Sequence, residues 1–333
     1  MIITRTPFRI SFFGGGTDYP AWFKDNGGAV LATTIDKYCY INLRYLPPFF
    51  EHKTRIVYSK MEHVNDHTKI DHPSIRACLD YLNIHEGLEI HHDADLPART
   101  GLGSSSSFTV GFLNALYALL GKMKTKEELC KEAIYVEQEL IQERVGSQDQ
   151  TLAAFGGFNY IEFKNNNDIQ VSSVTIHPER LKELQSHLLL FFTGFSRIAS
   201  KIAEKQIKNI PNKTKELKTM HQFVGEALDI LKSETPVTEF GKLLHESWKL
   251  KRTLSSSVTT PVIDEIYEVA LKNGAIGGKL LGAGGGGFLL VFAKPQDQDL
   301  IKQKLKSFLH VPFEFENLGS QVIFYNPSQA PIS

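Results

Sequence analysis

The chain has 333 residues, 37 Lys and Arg against 37 Asp and Glu, and a formal net charge of zero. That balance excludes the basic excess that nucleic-acid partners normally demand. With 42% apolar and 22% charged residues, a disordered or collagen-like chain is excluded too. At about 150 residues per domain the length predicts two domains or one large one. No apolar run approaches the ~18 residues of a membrane span, and the opening MIITRTPFRISFF lacks a small-residue cleavage site. Cys39, Cys78 and Cys130 lie far apart without a CxxC pair, so neither a disulfide framework nor a zinc site is expected. A soluble, cytoplasmic, globular protein is the expectation.

In chain order, ITRTPFRISFF reads as a strand that breaks at Gly14, Gly15 and Gly16. GGAVLATTIDKYCYINLRYL then reads as two strands, and EGLEIHHDADL as another. Val110, Leu113, Leu116, Tyr117 and Leu120 recur at helical spacing over 107–120, as do Leu129, Ala133, Val136 and Leu140 over 126–144. The polar turn at Asn165–Asp168 suggests the end of a first domain, giving residues 1–170 and 171–333. Thereafter HPERLKELQSHLLLFFTG predicts a short helix and a strand. Helices follow near 195–210, 213–232, 236–253 and 261–273, the last with Pro261 at its start and Gly274 past its end. A strand at 287–293, a helix at 297–309 and a strand at 321–325 complete the chain. Helices and strands mix without a βαβα repeat, so the fold class is α+β.

Three glycine-rich segments carry the chemistry. LPARTGLGSSSSFTV ends a strand at Pro97, places Gly101 and Gly103 around a leucine, and runs four serines into a helix. Glycines allow close backbone approach, hydroxyls add donors and the first helical N–H groups point at the same place, which suits phosphate. No Walker A string GxxxxGK[ST] occurs. A GxGxxG string does occur at Gly282, Gly284 and Gly287, but FLLVFA follows it, a strand rather than the helix that a dinucleotide fingerprint opens. GGKLLGAGGGGFLLVF is therefore either a close backbone approach or a bulged loop. FRISFFGGGTDYP places Asp18 and Tyr19 after a glycine turn, with Arg9 on the preceding strand.

In this order and spacing, PFRISFFGGGTDY, LPARTGLGSSSS and KLLGAGGGGF resemble the three signature motifs of the GHMP small-molecule kinases, over residues about 5 to 292. Within that family, TIDKYCYINLRYLPPFF, GLGSSSSFTVGFLNAL and VGSQDQTLAAFGG look closest to the D-glycero-D-manno-heptose 7-phosphate kinases. The resemblance implies an N-terminal domain like ribosomal protein S5 domain 2, a ferredoxin-like C-terminal domain, and an active site between them. It further implies ATP and Mg²⁺ as cofactors, a small sugar phosphate as partner, and transfer to the anomeric oxygen. The product would feed nucleotide-activated heptose to a surface polysaccharide. A kinase for an unphosphorylated sugar of fucose or galactose type, or a non-catalytic sensor of the same fold, are the alternatives.

Carried over residue by residue, the family pattern makes Thr100, Gly101, Leu102, Gly103, Ser104, Ser105 and Ser106 the ATP phosphate cradle. Ser105 and Glu137 would hold magnesium, with Glu139 in reserve. Helical geometry sets Glu137 at the flank of its apolar stripe, where a carboxylate reaches a cleft without entering the core. Asp149 matches the catalytic aspartate and Arg9 the basic residue that keeps it ionised. Gly15, Gly16, Thr17, Asp18 and Tyr19 would meet the sugar, and Gly284 and Gly285 would close over it. Arg197 and Lys201, i,i+4 neighbours, are candidates for a distal phosphate, in competition with Arg55, Arg76 and Arg99. His91 and His92 point to opposite faces of a strand and chelate poorly.

Overall fold

A computed structural model describes residues 1–194 and 199–327, without the side chains of 199–201. The chain runs β1 (Ile2–Phe13), α1 (Pro20–Asn26), β2 (Gly28–Tyr45), β3 (Thr54–Val57), β4 (Met61–Val64), α2 (Pro73–Leu82), β5 (Leu88–Ala94), α3 (Ser104–Leu119) and α4 (Lys126–Tyr135). It continues through α5 (Gln148–Phe155), β6 (Phe158–Phe163), β7 (Ile169–Ser173), α6 (Pro178–Ser186), β8 (Leu188–Phe192), α7 (Ala199–Asn209), α8 (Thr214–Lys232), α9 (Thr238–Arg252) and α10 (Pro261–Lys272). Last come β9 (Ala275–Leu280), β10 (Phe288–Ala293), α11 (Gln298–Lys304), β11 (Leu309–His310), β12 (Phe315–Glu316) and β13 (Gln321–Tyr325). The class is α+β. No helix among the described residues is long and apolar enough to cross a membrane, and all three cysteines are free and buried.

The first sheet runs β13-β1-β2-β5-β3-β4, with β6 and β12 also on β2 and β7 on β6. The two strands expected between residues 27 and 46 are one, Gly28–Tyr45. β2 survives the register jump that pairs Phe8 with Ile35 but Pro7 with Tyr38, because the Asp36 N–H left over at that bulge finds Glu314 O at 2.9 Å. Its first part pairs with β6 and its last with β5, so one strand serves two neighbours. The Asn165–Asp168 turn joins β6 to β7 within this sheet, and β12 and β13 return to it from the far end of the chain. The expected division at residue 170 thus falls inside a strand, and the sheet is not confined to the N-terminal side.

The second sheet has the order β11-β8-β10-β9, every neighbour antiparallel. Numbered along the chain this is 4-1-3-2 with helices after the first and third strands, the ferredoxin-like arrangement expected. Residues 277 and 278, at the start of the segment for which a close backbone approach and a bulged loop are both open, belong to β9. A Cβ on Gly277 would lie 2.0 Å from the Gly241 carbonyl oxygen of α9, so glycine lets helix and strand touch main chain to main chain. Between the layers, Phe240 of α9 meets Phe12 and Phe13 edge-on at 5.5 and 5.0 Å. This join sets the end of β1 against the second sheet, and the candidate site opens beside it.

Candidate active site

α3 starts at Ser104, three positions before the periodicity suggests, so the serines form its first turn. Gly103 caps it in the left-handed region and supplies no side-chain hydrogen bond. The helix therefore offers its first N–H groups to whatever lies in front of it. Gly101, Gly103, Ser104, Ser105 and Ser106 line one cleft together with Arg9, Gly15, Gly16, Asp18, Tyr19 and Asp149. Thr100 and Leu102, expected in the same cradle, face away. The Thr100 hydroxyl donates to Pro97 O at 2.7 Å, and Leu102 lies in the core while its carbonyl accepts from Arg9 N at 3.0 Å.

Arg9 and Asp149, on β1 and the first turn of α5, meet as a fork. Arg9 Nε donates to Asp149 Oδ1 at 2.8 Å and Nη2 to Oδ2 at 2.7 Å, while Nη1 donates to Gly101 O at 2.6 Å. Planar two-point pairing of this kind fixes orientation as well as charge. The arginine is 5% exposed and the aspartate 25%, so the carboxylate keeps an open side toward the cleft.

Glu137 follows α4 in a π-helical turn, Val136–Leu140, rather than in the continuous helix expected over 126–144. The extra residue in that turn swings Glu137 from the flank to full burial at 0% exposure. Ser106 Oγ donates to its Oε2 at 2.9 Å and Gln150 Nε2 to the same oxygen; Oε1 has no partner. Burial pushes the carboxyl up to about 7. Ser105, expected as the metal partner of Glu137, is instead exposed, and Ser106 is the serine beside the carboxylate. A sealed carboxylate oxygen with no donor fits a cation. A pair of protein oxygens suits Mg²⁺, which takes one or two such groups and completes its shell with water and phosphate. Among the described residues no cluster of three or more His, Cys, Asp or Glu stands together as a metal site.

On the glycine turn of β1, Gly15, Gly16, Asp18 and Tyr19 reach the cleft, but Thr17 does not. The Thr17 hydroxyl shares its proton between Gly14 O at 2.8 Å and Ala29 O at 2.9 Å and accepts from Ala29 N at 3.1 Å, locking the turn onto β2. From the C-terminal glycine turn the cleft-lining residues are Gly282 and Ala283, not the expected Gly284 and Gly285. Gly285 N donates to Val258 O at 2.8 Å, on the side away from the cleft. The turn meets the serine loop backbone to backbone: a Cβ on Gly282 would lie 2.5 Å from Gly101 Cα, and one on Gly101 2.5 Å from Leu281 O. Close approach, not a loose loop, accounts for these glycines.

Of the expected distal cations, Arg197 and the Lys201 side chain lie outside the described residues. Arg55 is paired with Glu89, and Arg76 Nη1 donates to Ile70 O at 2.6 Å; Arg99 lines the cleft. Two lysines that sequence reasoning passed over lie there as well. Lys279 Nζ donates to Phe12 O at 2.7 Å and Lys251 Nζ to Leu280 O and Gly282 O. Burial, then the neighbouring positive charges, holds Lys279 well below the ordinary lysine range; burial, with Arg9, brings Lys251 to about 8. Neither has a carboxylate partner at ion-pair distance among the described residues. Lys279 was hidden between glycines and leucines, and Lys251 in WKLKR looks like any solvated helix end.

Comparison with known proteins agrees with this geometry. The model of the GHMP kinases N terminal domain matches residues 72–157, and that of the GHMP kinases C terminal domain residues 227–311. The chain is 32% identical over 332 residues to a D-glycero-alpha-D-manno-heptose 7-phosphate kinase of Campylobacter jejuni, covering 96% of this chain and 97% of that one. It is 27% identical to an L-fucokinase/L-fucose-1-P guanylyltransferase of Bacteroides fragilis, over 87% of this chain but 34% of the relative. In fold it is similar to a D-glycero-D-manno-heptose 1-phosphate kinase from Bacteroides thetaiotaomicron, with a TM-score of 0.78 and 24% identity over 96% of this chain and 98% of that one. With family models matched in both halves and a whole-length relative this similar, the chain belongs to the GHMP kinase family as one of its sugar kinases.

Proposed function

We propose that the protein transfers the γ-phosphoryl group of ATP to the anomeric C1 hydroxyl of D-glycero-D-manno-heptose 7-phosphate, forming the 1,7-bisphosphate for nucleotide-activated heptose and surface polysaccharide. The observation that carries the chemistry is the Arg9–Asp149 fork at the base of the cleft, its carboxylate open toward the serine helix start. The choice of heptose rests on the Campylobacter relative and its whole-length match.

Asp149 accepts the proton of the C1 hydroxyl as that oxygen bonds to the γ-phosphorus; the bond from phosphorus to the β–γ bridging oxygen breaks and ADP leaves. Such a base contributes about 10²–10⁴ in rate. Arg9 keeps Asp149 ionised and orients it. The amides at 101–106 take the triphosphate, and Glu137 and Ser106 are the residues that hold Mg²⁺. When bound, the metal neutralises phosphate charge and fixes the tail. Lys251, Lys279 and Arg99 balance the negative charge gathered in the cleft by the triphosphate and by the acceptor's own phosphate.

An unphosphorylated hexose is the second reading, favoured by the similarity to the fucokinase of Bacteroides fragilis. A substrate-panel assay following ADP release, with the product identified by phosphorus NMR, decides. Turnover of heptose 7-phosphate and not of hexoses is expected; turnover of hexoses alone moves the assignment to the second reading, and binding without turnover to a sensor.

A further inference from the structure

Two polar atoms in the cleft have no partner. Ser11 Oγ on β1 and Gln148 Oε1 at the start of α5 are sealed from solvent and make no hydrogen bond, and both residues line the cleft. The two side chains flank Gly15, where an added Cβ would lie 3.7 Å from Ser11 Oγ and 3.8 Å from the amide nitrogen of Gln148, at the same amide end as its unpartnered oxygen. Those are ordinary contacts, and Gly15 does not have the left-handed backbone of Gly14 and Gly16, whose φ values are 82° and 106°. Neither strain nor crowding requires glycine at 15. Its missing side chain leaves room between two unpartnered groups.

Asp18, the carboxylate on the same turn, is engaged elsewhere. Its Oδ1 accepts from Gly16 N at 2.9 Å, its backbone O accepts from Ser147 N at 3.0 Å, and Gly146 packs so tightly that a Cβ there would sit 1.9 Å from Oδ2. Asp18 thus stitches the glycine turn to the start of α5. The unpartnered groups of the two side chains flanking Gly15 are the Ser11 hydroxyl, which donates and accepts, and the Gln148 carbonyl oxygen, which accepts. Buried polar atoms are nearly always satisfied in folded proteins, so a pair left without partners on residues that line a cleft marks where a ligand, drawing the side chains toward it, completes the bonding.

We propose that Ser11, Gly15 and Gln148 form the wall that recognises the hydroxyl groups of the acceptor sugar, Gly15 giving the space and the two side chains the hydrogen bonds. This rests on the reading of the cleft as a sugar-kinase site. The test is steady-state kinetics on the full chain with the acceptor found in the substrate panel, for Ser11→Ala, Gln148→Met and Gly15→Val. Each polar variant is expected to raise the acceptor KM about 10-fold, with the ATP KM within about two-fold of wild type. Gly15→Val abolishes measurable acceptor binding while the ATP-induced rise in melting temperature persists. Ligand-free Ser11→Ala and Gln148→Met melt no lower than wild type, since neither loses a bond, whereas a structural role would lower both. With monodeoxy acceptors, one analogue and one variant lose the same contact, so their penalties fail to add. Unchanged acceptor KM in folded variants, or full additivity with every analogue, overturns the proposal and leaves the kinase reading standing. A wild-type chain inactive on every sugar overturns both.

Discussion

Asp149 and Glu137 both depend on the first turn of α5, yet they sit in opposite electrostatic circumstances. Asp149 is gripped at both oxygens by a guanidinium that is itself bonded to the serine loop. Glu137, more deeply buried, has only neutral donors about it, the Ser106 and Thr109 hydroxyls and the Gln150 amide, and no cation among the described residues. Neutral donors offset only part of the cost of burying a charge; a cation at bonding distance does far more. The contrast separates an ion pair complete within the chain from a carboxyl that keeps its proton or takes a cation from outside. Three consecutive residues of that turn divide the work: Gln148 lines the cleft, Asp149 holds Arg9, and Gln150 holds Glu137.

Removing the complete pair gives the largest effect. Asp149→Ala is expected to lower kcat by at least ~100-fold with ATP affinity nearly unchanged; steady-state and ATP-binding measurements check this, and wild-type turnover would take Asp149 out of the proton transfer. Removing the incomplete one acts on stability and metal. Burial raises Glu137 from an ordinary 4.5 to about 7, so between those values the folded protein holds a proton that the unfolded chain has lost. Metal-free stability then falls as pH rises through that window, by up to roughly 3 kcal/mol. Glu137→Gln should flatten the fall, melt higher than wild type in metal-free buffer at pH 8, and lose the stabilisation that Mg²⁺ gives the wild type. Equal Mg²⁺ stabilisation in the two would dissociate Glu137 from the metal. The smallest change is Ser106→Ala, about 1 kcal/mol of metal-free stability and a weaker Mg²⁺ response, with Ser105→Ala leaving both as in wild type. The reverse pattern would restore Ser105 as the metal-side serine.

Much of this arrangement is legible in the chain. The serine run beginning a helix, the strand carrying Arg9, and the Pro261 and Gly274 limits of α10 follow from local rules that the fold leaves intact. What escapes reading depends on contacts between distant segments. Thr17 and Thr100 look like ligand hydroxyls until the carbonyls that take their hydrogen bonds are known. Glycines 277 and 278 look like loop because their strand is dictated by the closeness of α9. A helical wheel puts Glu137 at a flank because it assumes 3.6 residues per turn, and the π turn breaks that assumption where it matters. Lys251 and Lys279 are ordinary lysines in composition; only the fold buries them beside Arg9.

The contact of Gly101 with Gly282 has a mechanical consequence. Where no atom can be added between two main chains, they cannot slide or rock past one another without separating altogether. The joint behaves as a weld rather than a hinge. The serine loop and the second sheet then travel as one body, and any breathing of the cleft pivots on the opposite rim.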